Sequence, residues 1–200
     1  MASINCVEMT INKDNTQKGL FILEPLEVGQ GITVGNSLRR VLLSDLTGYA
    51  INGVRINNLK HEFTIIEGIR EDTLEVLLNL KEIIFKSNFV KNYTPKPLIK
   101  AFLKVQGPLI VTAGLFNLPE NSLKIINPEQ YICTILDKSD LYLEVDISNG
   151  KGYTLSTNMM ETESKELTNE FPRTLSLDSI YMPVKKVNFK VKLIHDTYGN

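Results

Sequence analysis

One pair of neighbouring residues in this sequence could carry acid–base chemistry. His61 stands next to Glu62, and a histidine and a carboxylate are the usual partners in general acid and base catalysis. Adjacent residues of an extended chain point to opposite faces, however, so the two side chains are poorly placed to share a proton. A structural histidine is the other interpretation of His61. No residue lies in a recognisable nucleophile motif.

The residues that could hold a metal or a nucleotide are also poorly spaced. Cys6 and Cys133 are far apart with no second cysteine near either, which predicts neither a zinc site nor a disulfide framework. Acidic residues are spread along helical stripes and alternating strands rather than clustered. Gly29, Gly31 and Gly35 lack the intervals of a dinucleotide fingerprint. The sequence therefore predicts no catalytic residue, metal or cofactor in this chain.

Charge and hydropathy exclude two further classes. The 22 basic and 23 acidic residues give no basic excess of the kind that marks a DNA-binding domain. A lysine group at Lys185, Lys186, Lys190 and Lys192 could touch nucleic acid, but basic strand faces are usually solvated. No apolar run reaches the length of a membrane span, and the start lacks the features of a secretory signal. We expect a soluble protein of a reducing compartment.

The first of two predicted helices has two different faces, and Gly29, Gly31 and Gly35 are expected to form the tight turn that leads into it. Asn36 is expected to cap it, and Thr47-Gly48 to end it. Leu43 falls between Arg39 and Arg40 on one face, while the opposite face is apolar. The apolar face collects Leu38, Val41, Leu42 and Leu46. A leucine between two arginines is typical of an interface, although a solvated arginine pair fits this helix equally well.

The second predicted helix starts near Glu71-Asp72, since acids suit the positive end of a helix dipole. Its polar stripe is narrow and consists of Glu71, Glu75, Asn79 and Glu82. Apolar residues cover most of its remaining circumference, namely Leu74, Val76, Leu77, Leu78, Leu80, Ile83 and Ile84. The helix must therefore be covered on more than one side, either by its own sheet and loops or by another chain.

The remainder of the chain reads mainly as strands. Strands are predicted at residues 21–26, closed by a turn at Pro25, and at 49–56, 98–105, 141–148 and 187–194. In the strand at 141–148, alternation predicts one buried face, formed by Leu141, Leu143, Val145 and Ile147. The polar run within residues 154–172 predicts an exposed loop. Residues 196–200 predict a turn, which normally leads into another element, so the fold is expected to be unfinished at Asn200.

Six motifs in a fixed order closely resemble the amino-terminal domain of the α subunit of multisubunit RNA polymerase. They lie at residues 27–44, 61–81, 105–113, 126–133, 149–153 and 181–186. Each motif is short and weak alone, but six in order across one chain are hard to produce by accident. The resemblance covers nearly the whole chain from Cys6 onward.

The resemblance implies an α+β fold of two domains. A dimerisation domain built from both chain ends, residues 1–47 and 183–200, would be interrupted by an inserted mixed α/β domain at residues 48–182. The family's carboxy-terminal DNA-binding domain would be absent, and the dimerisation domain truncated. The implied function is a non-catalytic assembly subunit of DNA-directed RNA polymerase, a nucleotidyltransferase complex. Its implied partners are a second α subunit and the large β and β′ subunits, with DNA reached only through the complex and no membrane contact.

The resemblance also implies which residues make these contacts. Dimer contacts would come from Asn36, Leu38, Val41, Leu42 and Leu46. The family's arginine that contacts the β subunit falls on Arg40, with Arg39 and Leu43 beside it. In the inserted domain, the implied large-subunit contacts are Glu71, Asp72, Glu75, Asn79, Lys81, Gly152 and Tyr153.

Several segments look more like plastid-encoded members of the family than bacterial ones. These are residues 80–88, 181–184 and 198–200. We therefore expect a chloroplast stromal protein, with the bacterial cytoplasm as the alternative. Two hypotheses from other classes stay open at this point: a small-molecule enzyme using His61 and Glu62, and a protein-interaction module unrelated to transcription.

Overall fold

The computed structural model describes residues 2–13, 16–57, 59, 62–87, 98–119, 123–156 and 174–193. The chain divides into two compact units, one formed by Met1–Leu46 with Val184–Asn200 and the other by Thr47–Pro183. Strands dominate the described part, and two α-helices accompany them. The mixed α+β class predicted from the sequence is therefore confirmed.

The first unit contains a hairpin and a helix. Strand β1 (Ser3–Ile11) pairs with strand β2 (Gln17–Glu24) in antiparallel register. The strand predicted before Pro25 is thus present, and it is longer than expected. Apart from Leu23, every residue of these two strands is exposed. Helix α1 (Gln30–Ser44) follows.

Helix α1 begins at Gln30, so the prediction that Asn36 caps it was wrong. Gly29 precedes the helix with a φ of 90°, whereas Gly31 and Gly35 lie inside it. A Cβ atom at Gly31 would lie 2.9 Å from Cγ1 of Val191, and one at Gly35 would lie 2.6 Å from Cε2 of Phe189. These glycines therefore serve a close approach of another segment rather than a turn.

The segment that approaches α1 was predicted as a strand over residues 187–194, and that prediction was also wrong. Described residues 183–193 form no strand. Phe189 and Val191 instead lie against the glycine side of α1, although they stay 41% and 47% exposed, and Lys190 and Lys192 are exposed as well. The alternating pattern is real, but its apolar residues face a helix. Residue 194 and the turn predicted at 196–200 lie outside the described residues, as does most of the predicted 154–172 loop.

The second unit is built on a four-stranded antiparallel sheet. Its strands are β3 (Thr47–Ile56), β5 (Ile99–Gln106), β9 (Asp140–Lys151) and β11 (Leu175–Ser176), in the order β11-β3-β9-β5. The strands predicted at 49–56, 98–105 and 141–148 are confirmed. Because β3 starts at Thr47, α1 ends at Ser44 rather than at the predicted Thr47-Gly48. The predicted inward residues of β9 are all buried: Leu141, Leu143, Val145 and Ile147.

Three short strand pairs and a helix surround this sheet. β4 (Phe85–Ser87) pairs with β7 (Leu123–Ile125), β6 (Leu109–Thr112) with β8 (Tyr131–Ile135), and β10 (Tyr153–Thr154) with β12 (Ser179–Ile180). Helix α2 (Thr73–Lys81) lies against β8 and β3. Its inward residues Val76, Leu77 and Leu80 join the core beneath the sheet. This packing positions the outer face of α2.

Candidate subunit interface

Helix α2 is covered on one side only by the described part of the chain. Its start agrees with the prediction, since the Asp72 Oδ1 atom accepts a hydrogen bond from the Glu75 amide at 2.7 Å. Leu74 and Leu78 remain 45% and 55% exposed. Together with Lys81 they fall within about 60° of one another on a helical wheel, so they share one outward face. The apolar excess noted in the sequence is therefore partly unburied.

Asp178 connects this helix face to strand β10. The Lys81 Nζ atom lies 4.0 Å from Asp178 Oδ2, and the Tyr153 hydroxyl donates to the same oxygen at 3.0 Å. The Ser156 amide donates to Asp178 Oδ1 at 2.9 Å. The Ser156 and Tyr153 donors hold the pKa of Asp178 below its ordinary value, and the pKa of Tyr153 is raised by the same carboxylate. The structure thus brings together Lys81 and Tyr153.

The surface continues from Tyr153 to its partner on β12. Tyr153 pairs with Ile180 across the two strands, and both side chains are more than half exposed. Gly152, just before Tyr153, has a φ of 65° and accepts a hydrogen bond from the Tyr181 amide at 2.9 Å. We call the resulting surface the α2 face. It consists of Leu74, Leu78, Lys81, Tyr153, Asp178 and Ile180.

Sequence reasoning missed Asp178 and Ile180 in this surface. Asp178 is a single acidic residue between two very short strands, and no periodic pattern marks it. Its role depends on Lys81 and Tyr153, which lie far from it in the chain. Asp72 and Glu75, which the resemblance implied as contacts, are exposed at the start of α2.

Glu71 is not part of an exposed polar stripe, and that prediction was wrong. Glu71 is only 3% exposed, and its carboxylate faces strand β8. The Oε2 atom accepts from the Thr134 amide at 2.7 Å, and Oε1 accepts from the Tyr131 hydroxyl. Asn79 also faces inward, donating from Nδ2 to the Ile132 carbonyl at 2.9 Å. The expected stripe therefore divides into inward and outward residues.

Arg70 completes the surroundings of Glu71. Its Nη2 atom lies 2.7 Å from Glu71 Oε1 and donates to the Tyr131 hydroxyl at 3.0 Å. Burial opposes ionisation of Glu71, but hydrogen bonds from Tyr131 and Thr134 hold the pKa of its carboxyl below the ordinary value.

Burial raises the pKa of the neighbouring Cys133 thiol to about 12, which leaves that thiol unreactive at neutral pH.

Helix α1 presents both of its predicted faces. No residue of the helix is buried. Asn36, Leu38 and Val41 are exposed, whereas Leu42 and the following Leu46 are half-buried. On the other face Arg39 and Arg40 are exposed, and Leu43 is half-buried like Leu42. The two faces therefore differ little in burial.

The acid–base pair cannot be placed, because His61 lies outside the described residues. Among the residues that the structure describes, no group of three or more His, Cys, Asp or Glu side chains could hold a metal ion. No helix within the described ranges is long and apolar enough to cross a membrane.

Comparison with known proteins identifies the family. A sequence model described as the RNA polymerase Rpb3/RpoA insert domain matches residues 54–182. The chain belongs to the RNA polymerase α-subunit family. The resemblance seen in the sequence motifs is therefore confirmed. The matched span contains the whole α2 face.

Individual α-subunit relatives extend the match over nearly the whole chain. The DNA-directed RNA polymerase subunit alpha of Porphyra purpurea is 46% identical over 189 residues, which is 94% of this chain. That of Rhodomonas salina is 48% identical over 189 residues, also 94% of the chain. The cyanobacterial protein from Trichodesmium erythraeum is 46% identical over 190 residues, or 95% of the chain. This chain spans 56% of the length of each of these α subunits.

Proposed function

We propose that this chain is a non-catalytic assembly subunit of a DNA-directed RNA polymerase. It pairs with a second α subunit and holds the large β and β′ subunits, which carry out nucleotidyl transfer. It reaches DNA only through the assembled complex. Membership of the α-subunit family supports the role in polymerase assembly, and the α2 face is the structural observation that carries the proposal.

The α2 face has the composition of a protein interface. Its apolar residues, Leu74, Leu78 and Ile180, are all substantially exposed. Tyr153 adds an aromatic side chain of the type that is enriched at interfaces. Lys81 and Asp178 provide a positive and a negative group side by side, at 4.0 Å. Such a patch fits a large protein partner better than a small substrate, since its apolar side chains are exposed on the surface rather than lining a cavity. We assign it to a large subunit.

Helix α1 supports the proposed contacts of the dimerisation unit. Its exposed apolar residues Leu38 and Val41 would be covered by a second copy of the chain, together with Leu42 and Leu46. Arg40 and Leu43 on the other side would meet the β subunit, with Arg39 beside them. Exposed arginines that shelter an apolar side chain are common anchors in such contacts.

The proposed location is the plastid, with a bacterial cytoplasm as the alternative. The support comes from relatives in algae such as Porphyra purpurea and Rhodomonas salina, and in the cyanobacterium Trichodesmium erythraeum. In either location the proposed partners are the β and β′ subunits of an RNA polymerase.

Mass spectrometry of proteins that co-purify with a tagged copy of the chain tests the proposal. We expect polymerase β and β′ subunits as the main partners, together with an untagged copy of the chain. Recovery of the chain with other partners and without large subunits would favour an interaction module unrelated to transcription. An isolated chain with an activity abolished by His61→Ala would favour the small-molecule enzyme.

A further inference from the structure

The buried carboxylate of Glu71 accepts hydrogen bonds from three residues, Thr134, Tyr131 and Arg70. Both oxygens are used, because Oε2 accepts from the Thr134 amide and Oε1 accepts from Tyr131 and from Arg70 Nε at 2.9 Å. The Tyr131 hydroxyl also lies 2.6 Å from Thr134 Oγ1. A carboxylate accepts but never donates, so this set of donors accommodates a charged acid and not its amide. Glu71 is therefore a specific polar joint between two elements.

The joint ties the start of α2 to strand β8. Glu71 directly precedes the helix cap Asp72, and its bonds run to residues 131 and 134 of the strand. At the other end of the helix, Asn79 donates to the Ile132 carbonyl of the same strand. Apolar packing of the inner helix face is non-directional, whereas hydrogen bonds require defined distances and angles. Two such attachments, one near each end, fix the rotation of α2 about its axis.

The rotation of α2 determines which residues point outward. Leu74, Leu78 and Lys81 lie on the side of the helix away from the buried residues Val76 and Leu80. A turn of about 30° would move the leucines by about 3 Å at the helix surface, given a helix diameter of about 10 Å. It would also move Lys81 from Asp178, and so break the continuity of the α2 face.

We infer that Glu71 and Tyr131 are positioning residues, which hold α2 against β8 in the orientation that presents the α2 face to a large subunit. Neither side chain contacts the partner in this inference. The buried charge acts because it is satisfied in one arrangement only, and an unpaired buried carboxylate would be costly in any other. The inference rests on the proposed function, since it names how the same surface is maintained.

Three variants of the full chain test this role. Glu71→Gln places an amide where the carboxylate accepts from both Thr134 and Tyr131, and Tyr131→Phe removes one donor while keeping the ring. Glu129→Gln is the matched control, because it removes one carboxylate from an exposed site near β8. Each is co-expressed with β and β′, and large-subunit capture is compared with thermal stability and with hydrogen exchange of the α2 amides.

We expect Glu71→Gln and Tyr131→Phe each to lower capture by about tenfold at temperatures where the chain is fully folded, since each disrupts a charge-assisted bond. Exchange of the α2 amides should rise in both, and Glu129→Gln should behave as wild type. Because the two residues form one joint, the double variant should lose less than the product of the single losses. If Glu71→Gln does not fold, Tyr131→Phe decides the question.

Two results would overturn the positioning role. One is unchanged capture by folded variants, and the other is a loss of capture that only follows the unfolded fraction. Failure of the proposed function gives a different pattern, in which the folded wild-type chain itself captures no large subunit. Loss of capture in a folded chain with Leu74→Ala and Leu78→Ala, with normal capture in both positioning variants, would reject this inference and leave the proposed function intact.

Discussion

The most quantitative prediction concerns replacement of Leu74 and Leu78 by alanine in one chain. These side chains are 45% and 55% exposed, so about half of each remains for a partner to cover. Complete burial of a leucine side chain is worth about 1.5–3 kcal/mol. Covering the exposed halves therefore contributes roughly 1 kcal/mol per residue and roughly 2 kcal/mol for the pair. Since alanine keeps only its Cβ atom, we expect affinity for the large subunit to fall by about 10- to 30-fold.

Competition for a limiting amount of the large subunits measures this ratio directly. Wild-type and double-variant chains carry different tags, and the ratio of tags is compared between the bound and the free fraction. Leu136→Ala is the matched control, because Leu136 is 62% exposed and lies outside the α2 face. We expect the control to compete equally with wild type.

Folding must be checked in the same variants. The buried halves of Leu74 and Leu78 contribute to stability, so the double variant should lose about 2 kcal/mol of unfolding free energy and still fold. A folded double variant that competes equally with wild type would contradict a contact between Leu74, Leu78 and a large subunit. It would mean that the outer side of α2 stays in solvent within the complex.

Three further predictions concern individual residues, and a fourth concerns the purified chain. Arg40→Ala should leave the chain folded and weaken capture of β by about 2 kcal/mol, as a truncated arginine anchor commonly does, whereas a collapse in melting temperature would make Arg40 structural. Leu80→Ala, at a site that is 0% exposed, should lose about 2–5 kcal/mol of unfolding free energy in urea, and a loss well below 1 kcal/mol would contradict the packing of α2. Because the folded-state pKa of Glu71 is lowered, its stabilisation is present above the ordinary pKa of 4.5 and is lost as pH falls through the folded value. The stability gap between wild type and Glu71→Gln should thus narrow in acid, and a gap that widens there would show the opposite shift. The purified chain alone should synthesise no RNA and bind no divalent ion tightly, as calorimetry with Mg²⁺ can test.

Local patterns in the sequence correctly predicted the elements that are determined by neighbouring residues. The start of α2 followed from Glu71-Asp72, and the alternation of residues 141–148 correctly placed its apolar members in the core. The strand at 49–56 was found for the same reason. These signals depend on capping and on period, which neighbouring residues determine.

Most of the incorrect predictions depended on distant contacts. Gly31 and Gly35 looked like turn residues, and only Val191 and Phe189 explain why glycines occupy a helix. The same two apolar residues suggested a strand, because alternation does not reveal whether a sheet or a helix receives them. The turn prediction relied on the conformational freedom of glycine. In α1 the important property is instead the missing Cβ atom, which leaves room for Val191 and Phe189.

The candidate interface shows the same limit. Glu71 was assigned to the polar stripe of α2 by its helical spacing, and the partners that bury it, Tyr131 and Thr134, lie about sixty residues away in the chain. Asp178 carried no signal at all, since its importance comes from Lys81 and Tyr153. Family resemblance pointed to two segments of the candidate interface, in α2 and at residues 152–153, but the direction of each side chain required the structure.

Reconstitution of RNA synthesis is the decisive test of the proposed role in polymerase assembly. Purified β and β′ subunits are mixed with and without this chain, and template-dependent RNA synthesis and complex mass are measured together. We expect synthesis only when the chain is present, in a complex that contains two copies of it, and none from the chain alone. Equal synthesis by β and β′ in its absence, with no chain in the active complex, would contradict the assignment of this protein as the assembly subunit.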